Sequence, residues 1–124
     1  MNRLSVFALS LCLCLAVSLG TSHAQVNPFR SSRVGSGLNS EDFKTMNATA
    51  AQLYERESVA DGTNDKWSNP KSGNGGTITV LQSFTRSDMQ CRKVRYDIRL
   101  KARTGPRSYT VNWCKTPEGV WKLA

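Results

Sequence analysis

Apolar and polar positions alternate without a break over residues 94–102. Val94, Tyr96, Ile98, Leu100 and Ala102 fall on one side, and Arg95, Asp97, Arg99 and Lys101 on the other. A period of two over this length predicts a half-buried β-strand whose outer face is a row of cations. Tyr109, Val111 and Trp113 repeat the alternation after Thr104-Gly105-Pro106, so the two segments form a hairpin with Cys91 on one arm and Cys114 on the other. Before the hairpin, residues 77–85 (TITVLQSFT) read as a strand with Ile78, Val80 and Phe84 on one face, interrupted by Gln82. Residues 86–89 turn into the hairpin, and residues 117–119 turn into a short final strand over 120–123.

The period changes upstream. Phe43, Met46, Ala50 and Leu53 step by three, four and three, with Tyr54 widening the stripe, which predicts an amphipathic helix with a core-facing side. Asn39 or Ser40 caps it, and Glu41 and Asp42 lie in the first turn, where carboxylates suit the helix dipole. Asn47-Ala48-Thr49 matches a glycosylation acceptor but falls inside this helix, so it reads as accidental. Trp67-Ser68-Asn69-Pro70 ends a short strand or extended segment, because Pro70 cannot donate to a ladder. Residues 71–76 (KSGNGG) are glycine-rich but lead into β-branched residues. They read as a hairpin turn and not as a phosphate cradle opening a helix. The expected fold is α+β, one amphipathic helix packed on an antiparallel sheet of about four strands.

The first residues change the picture of compartment. Arg3 precedes an uncharged apolar run over residues 4–20, and Ser22-His23-Ala24 ends in small residues, the pattern of a cleaved signal peptide spanning residues 1–24. Residues 25–38, rich in Gly, Ser and Arg, read as a flexible leader, and residues 39–124 as one small domain. Cys12 and Cys14 leave with the signal, so Cys91 and Cys114 remain as a pair in an oxidising compartment and are expected to form a disulfide. His23, the single histidine, leaves too, which removes imidazole from any catalytic or metal-binding set. With no CxxC either, no metal or cofactor is expected.

The chain carries 17 Lys+Arg against 9 Asp+Glu, and loss of Arg3 leaves a mature charge of +7. A surface this basic favours anionic partners. Arg95, Arg99, Lys101 and Arg103, with Lys93 and Arg92 nearby, form the candidate anion-binding row. Alternate strand residues lie roughly 6.6 Å apart, a spacing suited to repeated carboxylates or phosphates. The plainer reading is that these charges only solvate a strand and protect it from edge pairing.

Three segments in order, Trp67-x-Asn69-Pro70-x-Ser72-Gly73-Asn74-x-Gly76, Cys91-Arg92 and Cys114-Lys115-x-Pro117-Glu118-Gly119-x-Trp121-Lys122, resemble the surface-antigen domain of the Rickettsia 17 kDa surface antigen family. The resemblance covers residues 67–122. Lys115 and Glu118 stand where the family typically has Arg and Asp, and the family's lipid anchor and glycine-zipper segment have no counterpart in the pattern read here. The resemblance implies an exported cell-envelope protein of a Gram-negative bacterium, in the periplasm or at the outer membrane and cell surface, with no catalytic residues to carry over.

The leading functional expectation is therefore a non-enzymatic envelope protein whose basic sheet face binds an anionic envelope component, compatible with peripheral membrane association. The alternative is an exported inhibitor or adaptor binding an acidic protein, with Trp67, Trp113 or Trp121 as an anchor. Nucleic acid is not an expected partner of an exported chain, and the sequence leaves oligomeric state open. An enzyme with paired carboxylates is disfavoured, because Asp97, the one carboxylate set among cations, suits an ion pair better than a general acid.

Overall fold

A computed structural model describes residues 37–124. The expected signal peptide with His23, Cys12 and Cys14, and most of the leader, lie outside the described residues. A helix α1 (Ser40–Tyr54) is followed by five strands, β1 (Asn64–Asn69), β2 (Asn74–Arg86), β3 (Met89–Arg99), β4 (Arg107–Lys115) and β5 (Trp121–Leu123). Every neighbouring pair is antiparallel and the sheet order follows the chain. The extended segment before Pro70 is thus a full strand, giving one more strand than expected.

Asn39 caps α1, its side chain accepting from the Asp42 N–H while the Asp42 carboxylate accepts from the Asn39 N–H. This reciprocal box satisfies two otherwise orphaned donors and fixes where the helix begins. Met46, Ala50, Leu53 and Tyr54 then pack on Trp67, Ile78, Val80, Val94, Tyr96, Ile98 and Trp113, the inner face of the sheet. Trp113 Nε1 donates to the Tyr96 hydroxyl at 3.0 Å, so this buried indole keeps a partner. Tyr54 stacks on Trp113 with centroids 4.5 Å apart, tying the helix end to β4.

Two local features depart from the sequence expectation. A register shift between Val80 and Gln82 inserts Leu81 as a β-bulge. Parity flips there, so Ile78 and Val80 face inward while Gln82 and Phe84, paired with Lys93 and Cys91, face outward. Phe84 therefore does not share the core face. At the other end, β3 stops at Arg99 and not at Ala102. Leu100 is still buried, but Lys101, Ala102 and Arg103 lie exposed in the turn.

Candidate functional site

The outer face of the sheet is polar by register. Rows run across the strands as Lys66, Thr77, Asp97, Ser108, then Asn64, Thr79, Arg95, Thr110, then Gln82, Lys93, Asn112. Hydroxyl and amide side chains thus flank the cations, with Asp97 the only acid in these rows. Arg95 Nε contacts Asp97 Oδ2 at 3.0 Å, and the Ser108 hydroxyl donates to Asp97 Oδ1. Asp97 is therefore occupied in the ion pair expected of it. The row Phe84, Cys91, Cys114, Lys122 closes this face. The disulfide joins residues directly opposite on β3 and β4, with Cα atoms 4.1 Å apart. Such a close approach belongs to a non-hydrogen-bonded pair, where side chains are nearest.

The six candidate anion-binding residues do not form one row. Lys93, Arg95 and Arg99 stand on the outer face as expected. Lys101 and Arg103 sit past the strand, on the rim of a cavity of about 510 Å³ also lined by Gly37, Asn39, Ser72, Asn74, Leu100 and Ala102. Arg92 has to be corrected. It shares the parity of Val94 and Tyr96, points inward, and is 2% exposed. Its Nη2 reaches the carbonyls of Arg56 (3.2 Å) and Glu57 (3.5 Å), just beyond α1, and Nη1 reaches the Cys91 carbonyl. Its guanidinium also lies over Trp121, 5.6 Å from the ring centroid. Burial holds this group below its ordinary pKa, opposed by the charge of Asp61. Arg92 thus ties the segment that follows α1 to the inner face of β3 and is not available to an external anion.

Of the three candidate anchors, Trp67 and Trp113 are buried in the core, while Trp121 is half-buried under Arg92.

The sequence reading missed a second polar cluster. Asp42 is fully buried, and among the described residues no cation pairs with it. Its Oδ1 accepts from Asn69 Nδ2 (2.8 Å) and the Ser72 hydroxyl (2.6 Å), and its Oδ2 from Asn74 Nδ2 (2.9 Å) and the Asn39 N–H (3.0 Å). Burial pushes its pKa up, but the bonds from Ser72, Asn39, Asn74 and Asn69 together outweigh it, and the net value falls below the ordinary one. Asn74 also accepts from the Lys101 N–H at 3.0 Å, linking helix, β1–β2 turn and β3–β4 turn. The N-P-x-S-G-N-x-G segment acquires a physical meaning here. Gly73 adopts φ +75°, which lets the turn present Ser72 and Asn74. A Cβ on Gly76 would land on the Asp97 carbonyl oxygen and against Trp67 Nε1. The available signal was an acidic residue at N3 of a helix together with three short polar side chains in one turn.

Among the described residues no group of three His, Cys, Asp or Glu side chains could hold a metal ion. In the same residues no helix is long and apolar enough to cross a membrane.

Comparison with known proteins agrees with this motif map. The model of the family described as 17 kDa outer membrane surface antigen matches residues 49–122. The 17 kDa surface antigen of Rickettsia bellii (strain RML369-C) is 25% identical over 92 residues, 73% of this chain and 55% of the relative. Those of Rickettsia felis and Rickettsia rickettsii are each 26% identical over 88 residues, 70% of this chain and 53% of the relative. The chain therefore spans about half the length of these curated relatives. No solved structure matches it significantly. With its motif residues gathered in one turn around Asp42 and the family match running from mid-helix to the last strand, this chain belongs to the 17 kDa outer membrane surface antigen family.

Proposed function

We propose that this protein is an exported, non-enzymatic component of the cell envelope, and that the outer face of β2–β4 binds an anionic envelope component such as a phosphorylated or carboxylated glycan or lipid headgroup. Export is supported by the signal-like first 24 residues and by the relatives being surface antigens. The observation that carries the binding reading is the composition of the face. Lys93 and Arg99 share it with Thr77, Thr110 and Asn112, and its one acid, Asp97, is already bound by Arg95 and Ser108. Cations flanked by hydroxyl and amide donors suit an oxyanion held on several sides. A non-catalytic role is supported by the two of the nine carboxylates that are held among polar side chains. Asp42 has all its acceptor positions engaged, and Asp97 is ion-paired.

The test is retention of the oxidised protein on cell-envelope fractions at low and moderate salt, beside a Lys93→Ser/Arg95→Ser/Arg99→Ser variant. Salt-sensitive retention that the variant loses supports the reading. Equal retention of the two proteins overturns it and leaves these charges as protection of the strand.

A further inference from the structure

Apart from the face proposed above, the described sheet has an edge at β4 that β5 covers only in part. Among the described residues β5 pairs only with residues 113–115 of β4, so no strand among them pairs with Ser108 and Thr110 on the side away from β3. Register settles which backbone groups are left. The close Cys91–Cys114 pair is of the non-hydrogen-bonded kind, so Cys114 turns its N–H and C=O away from β3. By alternation Asn112, Thr110 and Ser108 do the same, and the Asn112 carbonyl indeed accepts from the Ala124 N–H at 3.0 Å. Ser108 and Thr110 continue this edge where β5 has ended, and both are exposed. Residues 108–112 contain no proline, lysine or bulge, and the edge-protecting residues Pro106 and Arg107 stand only at the start of the strand.

A notch of about 460 Å³ opens where β5 stops. Lys93, Thr110 and Asn112 line it from the outer face, and Tyr109, Val111 and Leu123 from the inner face. Asn112 Oδ1 is buried there without a hydrogen-bond partner. Charge selects the occupant. From Cys91 onward nine Lys and Arg stand against Asp97 and Glu118, a net of +7, whereas residues 37–90 carry five against seven carboxylates. The β4 edge lies in the cationic half, so a second copy of this edge would bring like charge to like charge.

We infer that the free edge of β4 takes up an extended acidic segment of another protein as a sixth strand. Its backbone pairs with Ser108 and Thr110, its carboxylates lie toward Lys93, and its alternate apolar side chains rest on the Tyr109 and Val111 side of the notch. This edge shares Lys93, Thr110 and Asn112 with the anion face proposed above, but its backbone pairing does not require that reading.

The test uses the oxidised protein and a capped nine-residue peptide alternating Val with Glu, compared with its Lys-for-Glu analogue. The Glu peptide is expected to bind at least about tenfold tighter, with affinity falling as salt rises. Thr110→Pro removes a donor that faces away from β3, so the β3–β4 ladder and the thermal midpoint should persist while peptide binding drops at least about tenfold. Methylating alternate backbone nitrogens of the peptide supplies a control that leaves the protein untouched. One methylation register should abolish binding and the other retain it. Equal affinity for both peptides, indifference to both methylation registers, or self-association that Thr110→Pro abolishes without any peptide binding would overturn the inference. Arg95→Ser/Arg99→Ser, which leaves every residue lining the notch in place, should lose envelope retention and keep peptide binding, so failure of this inference and failure of the anion-face reading are distinguishable.

Discussion

Two polar regions of this domain, the cluster around Asp42 and the outer face of β3 and β4, use similar side chains to opposite ends. Around Asp42 one carboxylate is enclosed by Asn39, Asn69, Ser72 and Asn74, and every acceptor position the geometry offers is filled from within the chain. On the outer face Arg99 is exposed and Lys93 half-buried, and among the described residues only Arg95 has a carboxylate beside it. The first arrangement stabilises the fold because breaking it would strand several donors in a dry site. The second contributes little to stability, since exposed charges interact weakly through water. A polar group that the chain has already satisfied is structural, and one it leaves open is available to a partner.

The largest expected effect is at the enclosed carboxylate. Asp42→Ala leaves the Asn69, Ser72 and Asn74 donors and the Asn39 N–H without their acceptor, and should cost about 4 kcal/mol by chemical denaturation. A loss below about 1 kcal/mol would mean that water replaces the carboxylate freely.

The disulfide comes next. Cys91→Ser/Cys114→Ser opens a loop with a sequence separation of 23 and should cost about 3 kcal/mol by the chain-entropy argument, read from the denaturation midpoint with and without reductant. The variant should be insensitive to reductant, whereas the wild type should fall to its level when reduced.

Acid then separates the two regions. Because the Asp42 pKa is lower in the folded protein than its ordinary 3.8, its contribution is fully present above that value. It is lost as pH falls through the depressed folded value. Stability should therefore decline as pH drops below about 4, and Asp42→Asn should flatten that decline. The outer-face cations should leave the same profile unchanged.

How much of this was legible in the sequence follows from the range of each signal. Helix α1 and the β3–β4 hairpin were readable because their periodicities are local, three to four residues in one and two in the other. The pairing of Cys91 with Cys114 followed from export chemistry and needed no geometry. Leu81 could not be read as a bulge, since no glycine or proline marks it, and Phe84 was placed on the wrong face in consequence. Arg92 carried the parity of the core residues, yet its partners are the carbonyls of Arg56 and Glu57, far back in the chain. Asp42 was visible only as a first-turn acid suited to a helix dipole. Its other partners lie 27 to 32 residues away, so no local pattern could announce the cluster.

The smallest expected change in stability belongs to the variant on which the functional account depends. Lys93→Ser/Arg95→Ser/Arg99→Ser should shift the unfolding free energy by no more than about 0.5 kcal/mol per site. Measuring its thermal midpoint and its salt-dependent retention on envelope fractions on one preparation tests the central claim most directly. The account predicts an almost unchanged midpoint together with lost retention. Retention equal to wild type in a folded variant would contradict it.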